Sequence, residues 1–136
     1  MHKLVTVLFI TLLSGCAWHP DKDLFTCPVS PNYSTEVSKS AIISNMGKAT
    51  QLIAVSDSKA SKLLSFYPGD SYISAIHHCN TSLFVAVRKV LEPQLKEYKK
   101  QTTDKKEIDD IDQQYGVWLN IMDRMRIPRT PFRYHA

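Results

Sequence analysis

"IDDIDQQYGVWLNIMDRM", residues 108–125, is the stretch on which the fold class turns. Ile108, Ile111, Tyr115, Trp118, Met122 and Met125 follow one another at steps of 3, 4, 3, 4 and 3. That alternation keeps six apolar side chains on one stripe of an α-helix, and a strand cannot hold it. Asp109, Asp110, Asp112 and Asp123 stay mostly off the stripe. A seam of this kind needs a helical partner. Its partner is either the rest of the same domain or a helix of another protein, in which case Trp118 and Met122 anchor the contact. Just upstream, Asp104 and Glu107 stand three residues apart, the spacing of a capping box with Asp104 as the cap.

Working outward, the preceding segments read as helices too. Ser34 is read as an N-cap with Glu36 in the first turn, and Val37, Ile42, Met46, Ala49 and Ile53 recur at near-helical spacing. "SDSK", 56–59, offers a second cap, so a separate short helix is expected through Ala60, Leu63, Leu64 and Tyr67. "YPGD", 67–70, is a turn signal with proline and glycine in the two central positions. Asp70 or Ser71 is then expected to cap the next helix, which carries Ile73, Ile76, Leu83, Val87, Val90 and Leu91. "LFVAV", 83–87, is apolar nearly all round its turn and is expected to be the most buried segment, as helix or as a short strand. The flanking period favours helix. Pro93 lacks the amide hydrogen that a helix interior uses, so it either kinks this helix or begins a new one. "KEYKKQTTDKKE" reads as a solvated helix end and loop.

The composition agrees. The chain has 136 residues, enough for one domain, with 43% hydrophobic and 22% charged residues and only four glycines. So few glycines argue against a turn-rich β-sandwich. The expected fold is all-α, a small bundle of three to four helices. Formal net charge is +4. That excess is too small and too dispersed to match the dense basic face that nucleic-acid binders carry, and no nucleic-acid partner is expected.

The chain begins "MHKLVTVLFITLLSGC". Lys3 supplies a positive start and residues 4–13 form an apolar run of ten. As a helix that run measures roughly 15 Å, about half of a ~30 Å bilayer core, so it has the form of an export signal and not of a spanning helix. Leu13-Ser14-Gly15-Cys16 resembles the lipobox of bacterial lipoprotein precursors. The resemblance covers the first 16 residues. It implies diacylglycerol on the Cys16 sulfur, cleavage before Cys16 and fatty acylation, palmitate-like, of the new amino group. Two or more acyl chains hold a protein stably on a membrane. Ala17, in place of Asp, implies by the enterobacterial sorting pattern an outer-membrane location facing the periplasm. The expected organisation is a signal peptide at 1–15, a lipidated tether at 16–33, a helical domain at 34–127 and a basic tail at 128–136.

Given export, Cys27 and Cys79 are left in an oxidising compartment. A disulfide between them is favoured there over two buried free thiols. Together with "AWHPDKDLFTCPVSPNYS", which has three prolines and no period, this suggests an extended tether held to the body at Cys27. His77-His78-Cys79 is not read as a metal site, because adjacent helical positions point about 100° apart and no second ligand cluster exists.

The chain closes on "RMRIPRTPFRYHA". Arg124, Arg126, Arg129 and Arg133 occur with no acid after Asp123, and Phe132 and Tyr134 add aromatic surface. Arginine and aromatics are enriched at binding hot spots, so this tail joins Trp118 and Met122 as a candidate partner surface. The alternatives are a loosely packed tail or contact with lipid headgroups. No phosphate loop, G-x-S-x-G or H-E-x-x-H motif is present. "EIDDID" sits at a helix start, where carboxylates suit the dipole. No catalytic residue, cofactor or small-molecule substrate is therefore expected. The expected function is a non-enzymatic binding or accessory protein of an envelope or secretion assembly. In plan it is similar to the helical secretion pilotins, and fold-level analogy is the only warrant for that likeness. An immunity or entry-exclusion lipoprotein is the alternative, and an envelope hydrolase the third reading.

Overall fold

The computed structural model describes residues 25–66 and 70–127. The expected lipobox with Cys16, the centre of the expected turn at 67–70 and the tail from 128 onward lie outside these residues. The described chain is all-α. An extended segment, 25–37, leads into three helices: α1 (Lys39–Phe66), α2 (Asp70–Gln101) and α3 (Lys105–Met125). At 1.5 Å per residue they are about 42, 48 and 31 Å long. The longest interface is the α1–α2 hairpin, and α3 packs across its open side. One disulfide, Cys27–Cys79, ties the extended segment to α2.

The bundle follows from one continuous apolar phase per helix. On α1, Ile42, Met46, Ala49, Ile53, Ala60 and Leu64 are buried. On α2 the buried set is Ile76, Cys79, Leu83, Phe84, Val87, Leu91, Leu95 and Tyr98, and on α3 it is Ile111, Trp118 and Met122. Ile108, Tyr115 and Met125, the rest of the α3 seam, are half-buried. The α3 seam therefore closes the domain's own core.

Four sequence expectations are corrected. Ser34 is not the cap of α1. Ser38 is, with its Oγ accepting from Ala41 N at 3.1 Å. Ser34 instead forms a local turn, its Oγ accepting from Glu36 N at 3.2 Å, and Val37 precedes the helix. No helix break occurs at 56–59. Ser56 continues the seven-residue phase of Ile42, Ala49 and Ile53, and its fully buried hydroxyl bonds across to α2. It is thereby a helix-interior contact and not a cap. Pro93 does not start a new helix, since α2 runs through it to Gln101. Pro93 is exposed, so water can satisfy the carbonyl one turn back, while Leu91, Gln94, Leu95 and Tyr98 hold the inner face. Finally, 83–87 is helical but one-sided: Leu83, Phe84 and Val87 are buried, whereas Val85 is 43% exposed.

The α2–α3 connection is three residues long, 102–104. Asp104 caps α3 as expected, its Oδ1 accepting from Lys106 N at 2.9 Å. Glu107 does not turn back to complete a box in the hydrogen bonds seen. Its carboxylate accepts from the Tyr98 hydroxyl at 3.2 Å, which pins the two helices where they meet.

Candidate functional site

Among the described residues four polar side chains are buried in the bundle: Asn45, Ser56, Asn80 and Gln94. Buried polar groups need partners, and here the partners are the extended segment and the neighbouring helices. Asn45 Oδ1 accepts from Ser34 N at 2.9 Å. Its Nδ2 donates to Ser34 O at 2.8 Å and to Gln94 Oε1 at 3.1 Å. Gln94 Nε2 donates to Ser34 O at 3.1 Å and also to Glu36 O. Both amide groups thus use both of their donor hydrogens and their oxygen. The result is a latch that fixes residues 34–36 against α1 and α2. Lower in the bundle, Ser56 Oγ donates to Asn80 Oδ1 at 2.8 Å, and Asn80 Nδ2 reaches Arg126 O at 3.5 Å. This joins all three helices near the end of α3.

Trp118, singled out as a partner anchor, is 7% exposed. Its Nε1 donates to Met46 O at 3.2 Å and to Thr50 Oγ1 at 3.0 Å. Its ring stacks on Tyr115 at 5.7 Å and meets Phe84 at 6.1 Å. Met122 is fully buried. Both residues are core, and the surface around them belongs to others. Arg124 is exposed on the last turn of α3. Arg126 is half-buried, its Nε 2.6 Å from Asp123 Oδ1. Arg129, Phe132, Arg133 and Tyr134 lie outside the described residues. Val117 and Ile121, which the seam leaves on the outer side of α3, are 54% and 47% exposed.

Shallow grooves mark the surface of the described residues. One of about 490 Å³ lies beside the latch, between Val37 and the α2 residues Val90, Pro93 and Gln94. A second of about 380 Å³ lies between Pro31 and the α1 residues Lys48, Gln51, Leu52 and Val55. The third, about 230 Å³, separates α2 from α3 at Glu92, Lys96, Lys99, Asp112 and Tyr115. At its edge Lys99 Nζ sits 3.0 Å from Asp112 Oδ1.

Few groups are electrostatically perturbed. Burial pushes the Tyr33 and Tyr115 hydroxyls above the ordinary tyrosine value of 10.0. Arg88 is raised, chiefly by its hydrogen bond to Glu92, and it also lies 5.5 Å over the Phe84 ring. Among the described residues no three of His, Cys, Asp and Glu converge as a metal site would require. His77 and His78 are both exposed. No described helix is long and apolar enough to cross a membrane.

The disulfide lies at the base of the extended segment. Cys79 is buried on α2 and Cys27 is exposed, with their Cα atoms 5.6 Å apart. Sequence reading missed the latch. Its one local signal was polar Asn45 beside Met46 in the apolar phase of α1, and its partner Gln94 is 49 residues away. No family model matches the chain, and neither a curated protein nor a solved structure is significantly similar to it.

Proposed function

We propose that this protein is an outer-membrane lipoprotein, anchored through Cys16 and facing the periplasm. On this reading it acts by contact, as a binding or accessory protein of an envelope or secretion assembly, and not by turnover. What carries the reading is the position of the Cys27–Cys79 disulfide: it joins the all-α body to a cysteine eleven residues after the expected lipobox cysteine. A disulfide suits the oxidising compartment to which a lipobox directs a chain. The buried polar groups support contact over catalysis, because Asn45 and Gln94 spend their hydrogen-bonding capacity on holding the fold.

Two measurements test this. The Cys16→Ser chain is expected to lose labelling by radioactive palmitate and to leave the outer-membrane fraction. Normal maturation and unchanged sedimentation with the envelope would refute the anchor. Mild cross-linking of the wild-type chain in its own membranes, followed by purification and mass spectrometry, is expected to recover one envelope protein in stoichiometric amount. Recovery of the chain alone, at cross-linker levels that trap known envelope complexes, would refute the accessory role.

A further inference from the structure

Charge is divided unevenly between the two halves of the described chain. Residues 25–66 carry six charged side chains, Glu36, Lys39, Lys48, Asp57, Lys59 and Lys62, whereas residues 70–127 carry eighteen. Helix by helix, α1 carries five charged residues against eight on α2 and eight on the shorter α3, so α1 is the least charged of the three. On it Lys48, Gln51, Leu52, Val55 and Lys59 stand at i, i+3, i+4, i+7 and i+11, which is a single stripe of a 3.6-residue helix. Val55 is 49% exposed, and Leu52 is half-buried. Pro31 forms the opposite wall of the groove above them, and Val29, two residues earlier, is 88% exposed. The stripe holds no acid, and Lys48 and Lys59 make no ion pair among the described residues. Apolar side chains flanked by uncompensated lysines suit the boundary between headgroups and acyl chains.

The extended segment also indicates what covers this face. Residues 27–31 run from Cys27 to the groove wall, and Cys27 is fixed to Cys79. Eleven residue steps separate Cys16 from Cys27, so at ~3.3–3.6 Å per step they are never more than about 35–40 Å apart. A bilayer holding Cys16 thus stays within reach of the α1 stripe, and its phosphates supply the negative charge that the stripe lacks. We infer that this face lies against the anionic phospholipid surface of the membrane. Val29 and Val55 enter the headgroup layer, and Lys48 and Lys59 meet phosphates. The inference rests on the lipid-anchor reading of Cys16, and its test separates the two.

The lipidated chain, reconstituted in phosphatidylethanolamine–phosphatidylglycerol vesicles, is treated with an amine-acylating reagent and mapped by mass spectrometry. Pure phosphatidylcholine vesicles serve for comparison. Lys48 and Lys59 are expected to react about fivefold less in the anionic vesicles, the protection that one lysine–headgroup contact implies, while Lys96 and Lys106 react equally in both. Equal reactivity of Lys48 and Lys59 overturns the proposal. Protection seen only in native envelope fragments, and not in protein-free vesicles, assigns the face to a protein partner and also overturns it. The intact mass reports separately whether Cys16 carries lipid. If it does not, the anchor reading fails by itself, and the same chain is scored by co-sedimentation with the anionic vesicles. There the double variant Val55→Asp, Lys48→Glu is expected to reduce the bound fraction at least about fivefold, and unchanged binding overturns the proposal.

Discussion

Replacing Asn45 by alanine should expose how far the domain depends on its latch. Asn45 makes three hydrogen bonds in a site with no exposed surface, two to Ser34 and one to Gln94. Alanine leaves Ser34 N–H and Gln94 Oε1 without those partners, and an unsatisfied buried group costs about 1–3 kcal/mol. Two such groups give a destabilisation of about 2–6 kcal/mol, a large share of the roughly 5–15 kcal/mol that holds a domain folded. For a body of this size, each kcal/mol moves Tm by about 4–8 °C. Thermal unfolding followed by circular dichroism should therefore show a drop of at least about 8 °C. Gln94→Ala should cost a similar amount, because it strands the Asn45 amide and removes the bonds to Ser34 O and Glu36 O. The two share one network, so the double variant should lose less than the sum, with a coupling of about 0.5–3 kcal/mol. A loss under about 1 kcal/mol for either single variant, or strict additivity of the pair, would refute the latch as a structural device.

Other changes follow the same logic. Removing the disulfide as Cys27→Ser, Cys79→Ser releases a loop of sequence separation 52; it should cost about 4 kcal/mol by loop entropy, checked by urea titration with and without reductant. Trp118→Ala, which empties a core position and removes two hydrogen bonds, should cost about 3–5 kcal/mol and abolish the near-ultraviolet dichroism of the stacked pair. Tyr33 has a buried hydroxyl with no hydrogen-bond partner among the described residues, so Tyr33→Phe should be neutral or stabilising by up to about 1 kcal/mol at pH 7. Its pKa is raised in the fold above 10.0. Stability is therefore complete below about pH 10 and falls as pH rises above it, since the unfolded chain ionises first. Tyr33→Phe should shift that alkaline limb upward, as read by unfolding at successive pH values. Breaking Lys99–Asp112, an exposed pair, should change stability by less than about 1 kcal/mol.

The sequence was most legible where one helix carried one uninterrupted period. The steps from Ile108 to Met125 set α3, and Asp104 set its start, because a cap and an amphipathic stripe are both local signals. The pairing of Cys27 with Cys79 followed from counting the two thiols left once Cys16 was set aside as the expected lipidation site. Ser56 misled because serine followed by aspartate has the chemistry of a cap. Only its place in the phase of Ile42, Ala49 and Ile53 marks it as interior. Pro93 left two readings open, a kinked helix or a new one, and only the second is excluded: a residue that disfavours helix locally is tolerated when its missing bond faces water and the neighbouring turns are buried. The latch was the least legible part, since its bonds join residues 11, 49 and 60 apart. Periodicity also left Trp118 undecided. A seam shows that a helix has a partner, and whether that partner is its own hairpin depends on lengths and connections that a local pattern does not contain.

The latch and the disulfide together bear on how a chain anchored at Cys16 would sit. With the disulfide closed, the covalent tie of the body is Cys27, eleven residues from such an anchor and at most about 35–40 Å from it. With it open, and with Phe25 and Tyr33 lifted from the core they pack against, the nearest hydrogen-bonded tie becomes Ser34, held by Asn45 and Gln94. That is eighteen residues from Cys16, so the limit rises to about 60–65 Å. The volume accessible to the body would grow several-fold, and the effective concentration of any membrane-bound surface would fall with it. The two tie points consequently do different work. The latch holds the segment to the fold whatever the redox state, whereas the disulfide would set the reach between an anchor at Cys16 and the fold.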